Sequence, residues 1–277
     1  MKKYLSGIYL TLIFGILYIP IVTLIFFSFN SANSTAVFEG FSFKWYIELF
    51  NSPETFEALR NTLILAVLSA LIATIIGTAA AEGIYRMRNK LAKSAITSVT
   101  NIPMMNPDIV TGMSMMLFFV AVVAGISAIF EITYEDIGFF AMLIAHTTFC
   151  LPYVILSVLP RINELGDSLT EAAQDLGCTS AQAFFKVKLP NIMPGVISGM
   201  VMAFTMSLDD FVISYFVGSS NFQTLPLLIY SMTKKKVTPD MYALSSLIIV
   251  TVFILLIVSN FKTGKKIEGR RKERRVK

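Results

Sequence analysis

Two adjacent aspartates, Asp209 and Asp210, interrupt the otherwise apolar run MAFTMSLDDFVISYFVG at 202–218. A third, Asp108, follows two prolines in NIPMMNPDIVTG at 101–112. An acid inside a segment long enough to cross a bilayer is costly in hydrocarbon and by default marks a route for ions or solutes. Carboxylates bind ammonium groups through charge-assisted hydrogen bonds. Aromatic faces add cation–π attraction of about 0.5–2 kcal/mol. Adjacent helical residues point about 100° apart, so Asp209 and Asp210 need not face the same cavity. One is free to line a route while the other pairs with a neighbouring helix or polar backbone, and adjacency alone does not say which. Pro103 and Pro107 lie four apart, on one helical face, and remove two backbone donors, which bends or breaks a helix. Such backbone is tolerated at membrane depth only against protein or a water-filled cavity. Asp108 is therefore expected on irregular backbone near mid-membrane, where transporters build binding sites.

These acids need elements to position them. The chain of 277 residues is 55% hydrophobic and 15% charged, against about 25% charged in soluble domains, which points to a membrane protein. Runs 4–38, 61–81, 109–130, 137–160 and 241–261 contain no Lys, Arg, Asp or Glu. Each reaches the roughly 20 residues that cross a bilayer. A sixth span is complete only if Asp209 and Asp210 are accepted within it. The expectation is an all-α integral membrane protein, one domain over 1–277, with spans at 8–30, 61–82, 99–124, 137–159, 195–217 and 241–261. Most basic residues then fall on one side: Lys2, Lys3, Arg86, Arg88, Lys90, Lys93, Arg161, Lys186, Lys188 and the tail 262–277. By the positive-inside rule both termini are cytoplasmic. The first apolar run is about twice the length of a signal-peptide core, so an uncleaved span is expected there.

The remaining signals are weaker. FSFKWYIELF at 41–50 is aromatic-rich and amphipathic; it reads as an interfacial anchor, with contact between Trp45 and a solute as the alternative. Cys150 and Cys178 fall in a span and a cytoplasmic loop, so no disulfide is expected. His146, the only histidine, has no metal-ligand spacing around it and reads as a polar contact between helices. Glu82 and Arg86 have the i, i+4 spacing of a helical ion pair. Lys234, Lys235 and Lys236 read as a solvated run, or as a contact for an acidic partner outside the membrane. The basic tail suits anionic lipid better than nucleic acid. There is no G-x-x-x-x-G-K-[ST] loop and no HExxH, and neighbouring aspartates cannot converge as a protease dyad does. An enzyme is not expected, and neither is a cofactor or metal bound by this chain.

The cytoplasmic loop 161–194 carries structure of its own. In DSLTEAAQDLG, Ser168 with Glu171 has capping-box spacing. Leu169, Ala172, Ala173 and Leu176 make a helical apolar stripe, and Gly177 has the position of a C-terminal glycine. SAQAFFKVKLP begins a second helix near Ser180, expected to stop before Pro190. This amphipathic hairpin either packs on itself or docks in the groove of a soluble partner.

EAAQDLGCTSAQAFFKVKLP resembles the EAA loop of the integral-membrane subunits of bacterial ABC importers. Glu171, Ala172, Ala173, Gly177, Leu189 and Pro190 fall at that family's spacing, with Val187 where isoleucine is usual. The resemblance implies a MetI-like fold and a bacterial inner-membrane location. It makes the hairpin a coupling helix that docks on an ATPase subunit, where ATP and Mg are bound. The implied partners are two such subunits, a second permease chain (copy or paralogue) and an extracytoplasmic solute-binding protein. PDIVTG, SLDDFVISYF, LPLLIYSMTKKKVTPDMYAL and FEGFSFKWYIELF are similar to the polyamine-importing branch of that family. That similarity implies passage of spermidine or putrescine along Trp45, Asp108, Ser207, Asp209 and Asp210. Relatives that import an inorganic anion or iron share parts of these motifs. From another class, an ion-coupled carrier or channel would also place acids in broken helices.

Overall fold

The computed structural model describes residues 2–33, 37–105, 108–130, 133–235, 239–251 and 253. Pro107, Lys236, the end of the sixth expected span and the basic tail lie outside them. Among the described residues the chain is almost entirely helical, and five helices are long and apolar enough to cross a membrane. In order, the helices are α1 (Lys2–Phe27), α2 (Lys44–Asn51), α3 (Pro53–Arg86), α4 (Lys90–Met105), α5 (Asp108–Phe130) and α6 (Tyr134–Leu165). They continue as α7 (Ser168–Asp175), α8 (Ser180–Ala183), α9 (Leu189–Leu208), α10 (Val212–Val217) and α11 (Leu225–Lys235), then α12 (Pro239–Thr251). Where the sequence suggests one domain, the chain groups into two compact units: Arg60–Pro226, and Met1–Leu59 with Leu227–Lys277.

The unit Arg60–Pro226 is built around α6. Its Ala141, Ala145, Cys150, Val154, Val158 and Ile162 are buried. Helix α9 lies against α6 through Gly195, Gly199 and Ala203. A side-chain carbon at Gly195 would meet the Ser157 carbonyl, and one at Gly199 would meet the Val154 backbone. Small residues four apart permit that backbone approach, a packing mode of membrane helices where dispersion replaces the hydrophobic drive. The Cys150 thiol donates to the Ala203 carbonyl at 3.3 Å across the same interface.

In the other unit, Asn30 organises the segment after α1. Its amide donates to the Val37 carbonyl at 2.6 Å, and its Oδ1 accepts from the backbone N–H of Ala32 (3.2 Å) and Glu39 (3.0 Å). The Tyr46 hydroxyl bridges Ser28 and Ser246, each at 2.7 Å.

Four local expectations are corrected. The span expected at 195–217 is not one helix: α9 ends at Leu208 and α10 begins at Val212, because the Asp210 carboxylate satisfies the interrupted backbone as described below. The second hairpin helix does not stop before Pro190. A π-helical turn, Phe184–Lys188, leads from α8 straight into α9. The wider turn falls immediately before Pro190, where an α-helix would lack a donor and crowd the proline ring. Finally, Ser168 does not cap α7. The N-cap is Asp167, whose side chain makes no capping bond and instead points toward Lys188, 4.0 Å away. The span expected at 99–124 is divided between α4, which contains Pro103, and α5, which opens on Asp108.

Candidate functional site

Helix α9 ends where Ser-Leu-Asp-Asp-Phe replaces its apolar sequence. The Asp209 N–H still reaches the Thr205 carbonyl at 3.3 Å. The Asp210 carboxylate then accepts from the backbone N–H of Ile213 (3.3 Å) and of Ser214 (2.9 Å), and from the Ser214 hydroxyl (3.2 Å). A helix start leaves N–H groups without partners, and an acid placed there supplies acceptors and a favourable charge. Asp210 is thereby committed to holding the start of α10.

Behind it stands a polar chain through the interior. His146 is completely buried; its Nδ1 lies 2.8 Å from the Ser207 hydroxyl and its Nε2 3.2 Å from that of Ser214. Nε2 is also 3.5 Å from the Asp210 carboxylate. Ser69 of α3 donates to the Ser207 oxygen at 2.8 Å. Each His146 ring nitrogen thus faces one serine hydroxyl, and the Ser214 hydroxyl also donates to the Asp210 carboxylate. Four helices, α3, α9, α6 and α10, share this relay of hydrogen-bonded groups.

Asp209 is exposed, and its side chain bonds no other residue among the described ones. Asp108, the first residue of α5, is exposed too. Gly112, one turn along α5, lies against Val212 and Phe216 of α10, and Asp108 is close enough to Asp210 and Tyr153 to act on both electrostatically. Asp108, Ser207, Asp209 and Asp210 thus share one neighbourhood. Ser207, expected to line a route, is buried within the relay instead.

Trp45 belongs to the other unit. It is buried, its Nε1 donates to the Asn30 carbonyl at 2.7 Å, and its ring face carries the Lys44 ammonium 4.6 Å from the centroid. The indole edge therefore fastens a loop, while its face takes a cation.

The hairpin closes on Gly177, whose φ is +90°. The Cys178 N–H donates to the Ala173 carbonyl (3.0 Å) and the Gly177 N–H to that of Gln174 (2.8 Å). That pair of bonds is the Schellman ending, which favours glycine at its left-handed position. Thr179 and Gln182 form a reciprocal capping box at the start of α8. Ala173 and Ala183 are buried inside the hairpin. Glu171, Ala172 and Pro190 are exposed, Leu189 is half-buried, and Leu169, Leu176 and Phe185 are exposed apolar side chains.

Sequence reading missed the relay and the buried Lys188. Ser214 lies four residues after Asp210, and Gly195 and Gly199 form G-x-x-x-G, so signals for the cap and the α6–α9 contact were present. Nothing in the sequence joins Ser69 or His146 to them.

Five helices long and apolar enough to cross a membrane, with acids at the starts of α5 and α10, make this a multi-span membrane protein. Two solved structures share the fold. One is a bacterial ABC transporter that imports the acidic polysaccharide alginate (TM-score 0.74, 18% identity, 95% of this chain and 96% of that one). The other is the MetNI methionine ABC transporter (TM-score 0.59, 20% identity, 78% and 98%). The chain belongs to the family of binding-protein-dependent transport system inner membrane components, whose model matches residues 73–263. It is 37% identical to the spermidine/putrescine transport system permease protein PotC of Haemophilus influenzae, over 95% of this chain and 98% of that protein. It is likewise 37% identical to PotC of Escherichia coli K12, over 96% and 97%. To the putrescine transport system permease protein PotI of E. coli K12 the identity is 38%, over 87% and 84%.

Proposed function

We propose that this permease forms half of the translocation pathway of an ATP-driven bacterial importer for polyamines. Both termini are cytoplasmic. A second permease chain, more simply a paralogue, completes the pore. Two ATPase subunits, holding ATP and Mg, dock on the hairpin 161–194 through the surface around Glu171, Ala172 and Ala173. Gly177, Leu189 and Pro190 give that hairpin its shape. A solute-binding protein delivers cargo from outside.

The observation that carries the cargo reading is Asp209, an exposed acid at a break in an apolar helix, with Asp108 exposed nearby and Asp210 committed to α10. A polyamine ammonium must exchange water for acceptors without being held permanently. Two separated carboxylates provide this, each through one charge-assisted bond, and the names of the 37–38% identical relatives agree. Trp45 offers a ring face to the same kind of cation. ATP-driven closure of the ATPases pushes the hairpins and opens the pathway outward; hydrolysis returns it inward.

The test is reconstitution of the complex in liposomes. Putrescine or spermidine with the binding protein is expected to stimulate ATP hydrolysis. Asp209→Asn is expected to lower uptake by roughly ten- to a hundredfold, the worth of a charged hydrogen bond, with the complex still assembled. Stimulation by sulfate or iron instead, or unchanged uptake in the variant, would overturn the reading.

A further inference from the structure

Lys188 sits in the second stem of the hairpin, between Val187 and Leu189. It is 1% exposed, the largest fully buried side chain among the described residues. Its ammonium lies 2.9 Å from Oε1 and 2.8 Å from Oε2 of Glu82. It stands 4.4 Å above the Tyr85 ring and 4.0 Å from the Asp167 carboxylate. Glu82 and Tyr85 belong to the cytoplasmic end of α3. Asp167 opens the hairpin and Lys188 closes it. Both stems therefore converge on one ammonium, which is fastened to a helix more than a hundred residues away in sequence.

We propose that Lys188 is a positioning residue for coupling: its pairing with Glu82 carries displacement of the hairpin into α3. A buried ammonium has lost its water, and the loss is recovered only while Glu82 stays in contact. Glu82 also pairs with Arg86 of its own helix at 2.6 Å, so separating the hairpin from α3 would strand chiefly the Lys188 ammonium, left with Asp167 at 4.0 Å; the two therefore move together. The same linkage has a second end. Ser69 of α3 bonds Ser207, and Ser207 lies on the helix that continues from Lys188. Helix α3 and the helix Ser180–Leu208 are thus tied at the hairpin root and again beside the Asp209–Asp210 break. A push on the hairpin reaches the acids through a pair of helices pinned at both ends. The π-helical turn Phe184–Lys188 ends on this buried residue, and such turns recur at functional positions.

This inference rests on the proposed docking of the hairpin on the ATPase, and the experiment separates the two. The full complex is reconstituted with Lys188→Met, with Lys188→Arg, and with the double variant Glu82→Gln/Lys188→Met. The double variant removes both charges at similar volume, a change that buried ion pairs tolerate. Copurification of the ATPase, ATP turnover and radiolabelled putrescine uptake are measured together. The expected result is intact copurification and turnover in the double variant, with putrescine moved per ATP reduced at least about five-fold. Lys188→Arg keeps the charge and is expected to restore most of that ratio. A wild-type ratio in the double variant would overturn the proposal, and so would parallel loss of copurification and turnover. Putrescine uptake by the wild-type chain without ATPase would overturn the docking reading itself.

Discussion

Asp209 and Asp210 differ by one position and are expected to respond oppositely to removal. In Asp210→Ala the backbone N–H groups of Ile213 and Ser214 lose their acceptor. The Ser214 hydroxyl retains an alternative in the Asp210 backbone carbonyl at 3.3 Å, so it adds little to the cost. An unsatisfied buried donor costs roughly 1–3 kcal/mol. Two would cost about 2–6 kcal/mol, and the lower end is expected because a six-residue helix can fray toward its break. For a domain of this size 1 kcal/mol corresponds to roughly 2–4 °C in the unfolding midpoint. Asp210→Ala is therefore expected to lower the midpoint of the purified complex by about 4–8 °C. Asp210→Asn, which keeps one acceptor oxygen, should lower it by less. Asp209→Ala removes an exposed side chain and should stay within about 0.5 kcal/mol. The assay is thermal unfolding in one detergent, followed by light scattering, with uptake measured on the same preparations. An unshifted midpoint for Asp210→Ala, or an equal shift for Asp209→Ala, would refute the division of roles.

Two other outcomes follow from the packing and the hairpin. Gly199→Leu should prevent α9 from seating on α6, because its side chain would meet the Val154 backbone; overpacking costs typically about 1–3 kcal/mol, read as loss of properly assembled complex on gel filtration, and normal assembly would contradict the contact. Glu171→Ala should weaken ATPase association and uptake without lowering the midpoint of the isolated permease, since Glu171 is exposed, and unchanged copurification would remove it from the docking surface.

Much of the fold was legible because bilayer thickness acts on composition directly. Charge-free runs of about twenty residues announce helices, and α1, α3, α5 and α6 lie where such runs fall. The hairpin was legible for a different reason: Gly177 and the motif around Glu171 are local, and local turn chemistry is written in consecutive residues. Boundaries were less legible. Pro190 looked like a stop because a proline removes a donor from an α-helix, but the preceding π-helical turn accommodates it. Ser168 looked like a cap, but Asp167 takes that position while its carboxylate turns toward Lys188.

By itself the sequence determined that this chain is a membrane-embedded helical permease with a helical hairpin and acids in its apolar runs, since hydrophobic length, charge placement and motif spacing are all short-range quantities. Only the tertiary structure decided which acid does what. Asp209 and Asp210 are chemically identical neighbours; they become an exposed acid and a helix cap because α10 starts at Val212 and His146, from a helix some sixty residues away, stands behind one of them. Lys188 likewise has no distinguishing neighbour in sequence. Its burial against Glu82 exists only because α3 and α9 meet at the hairpin root, and contacts between such distant residues depend on how the helices pack.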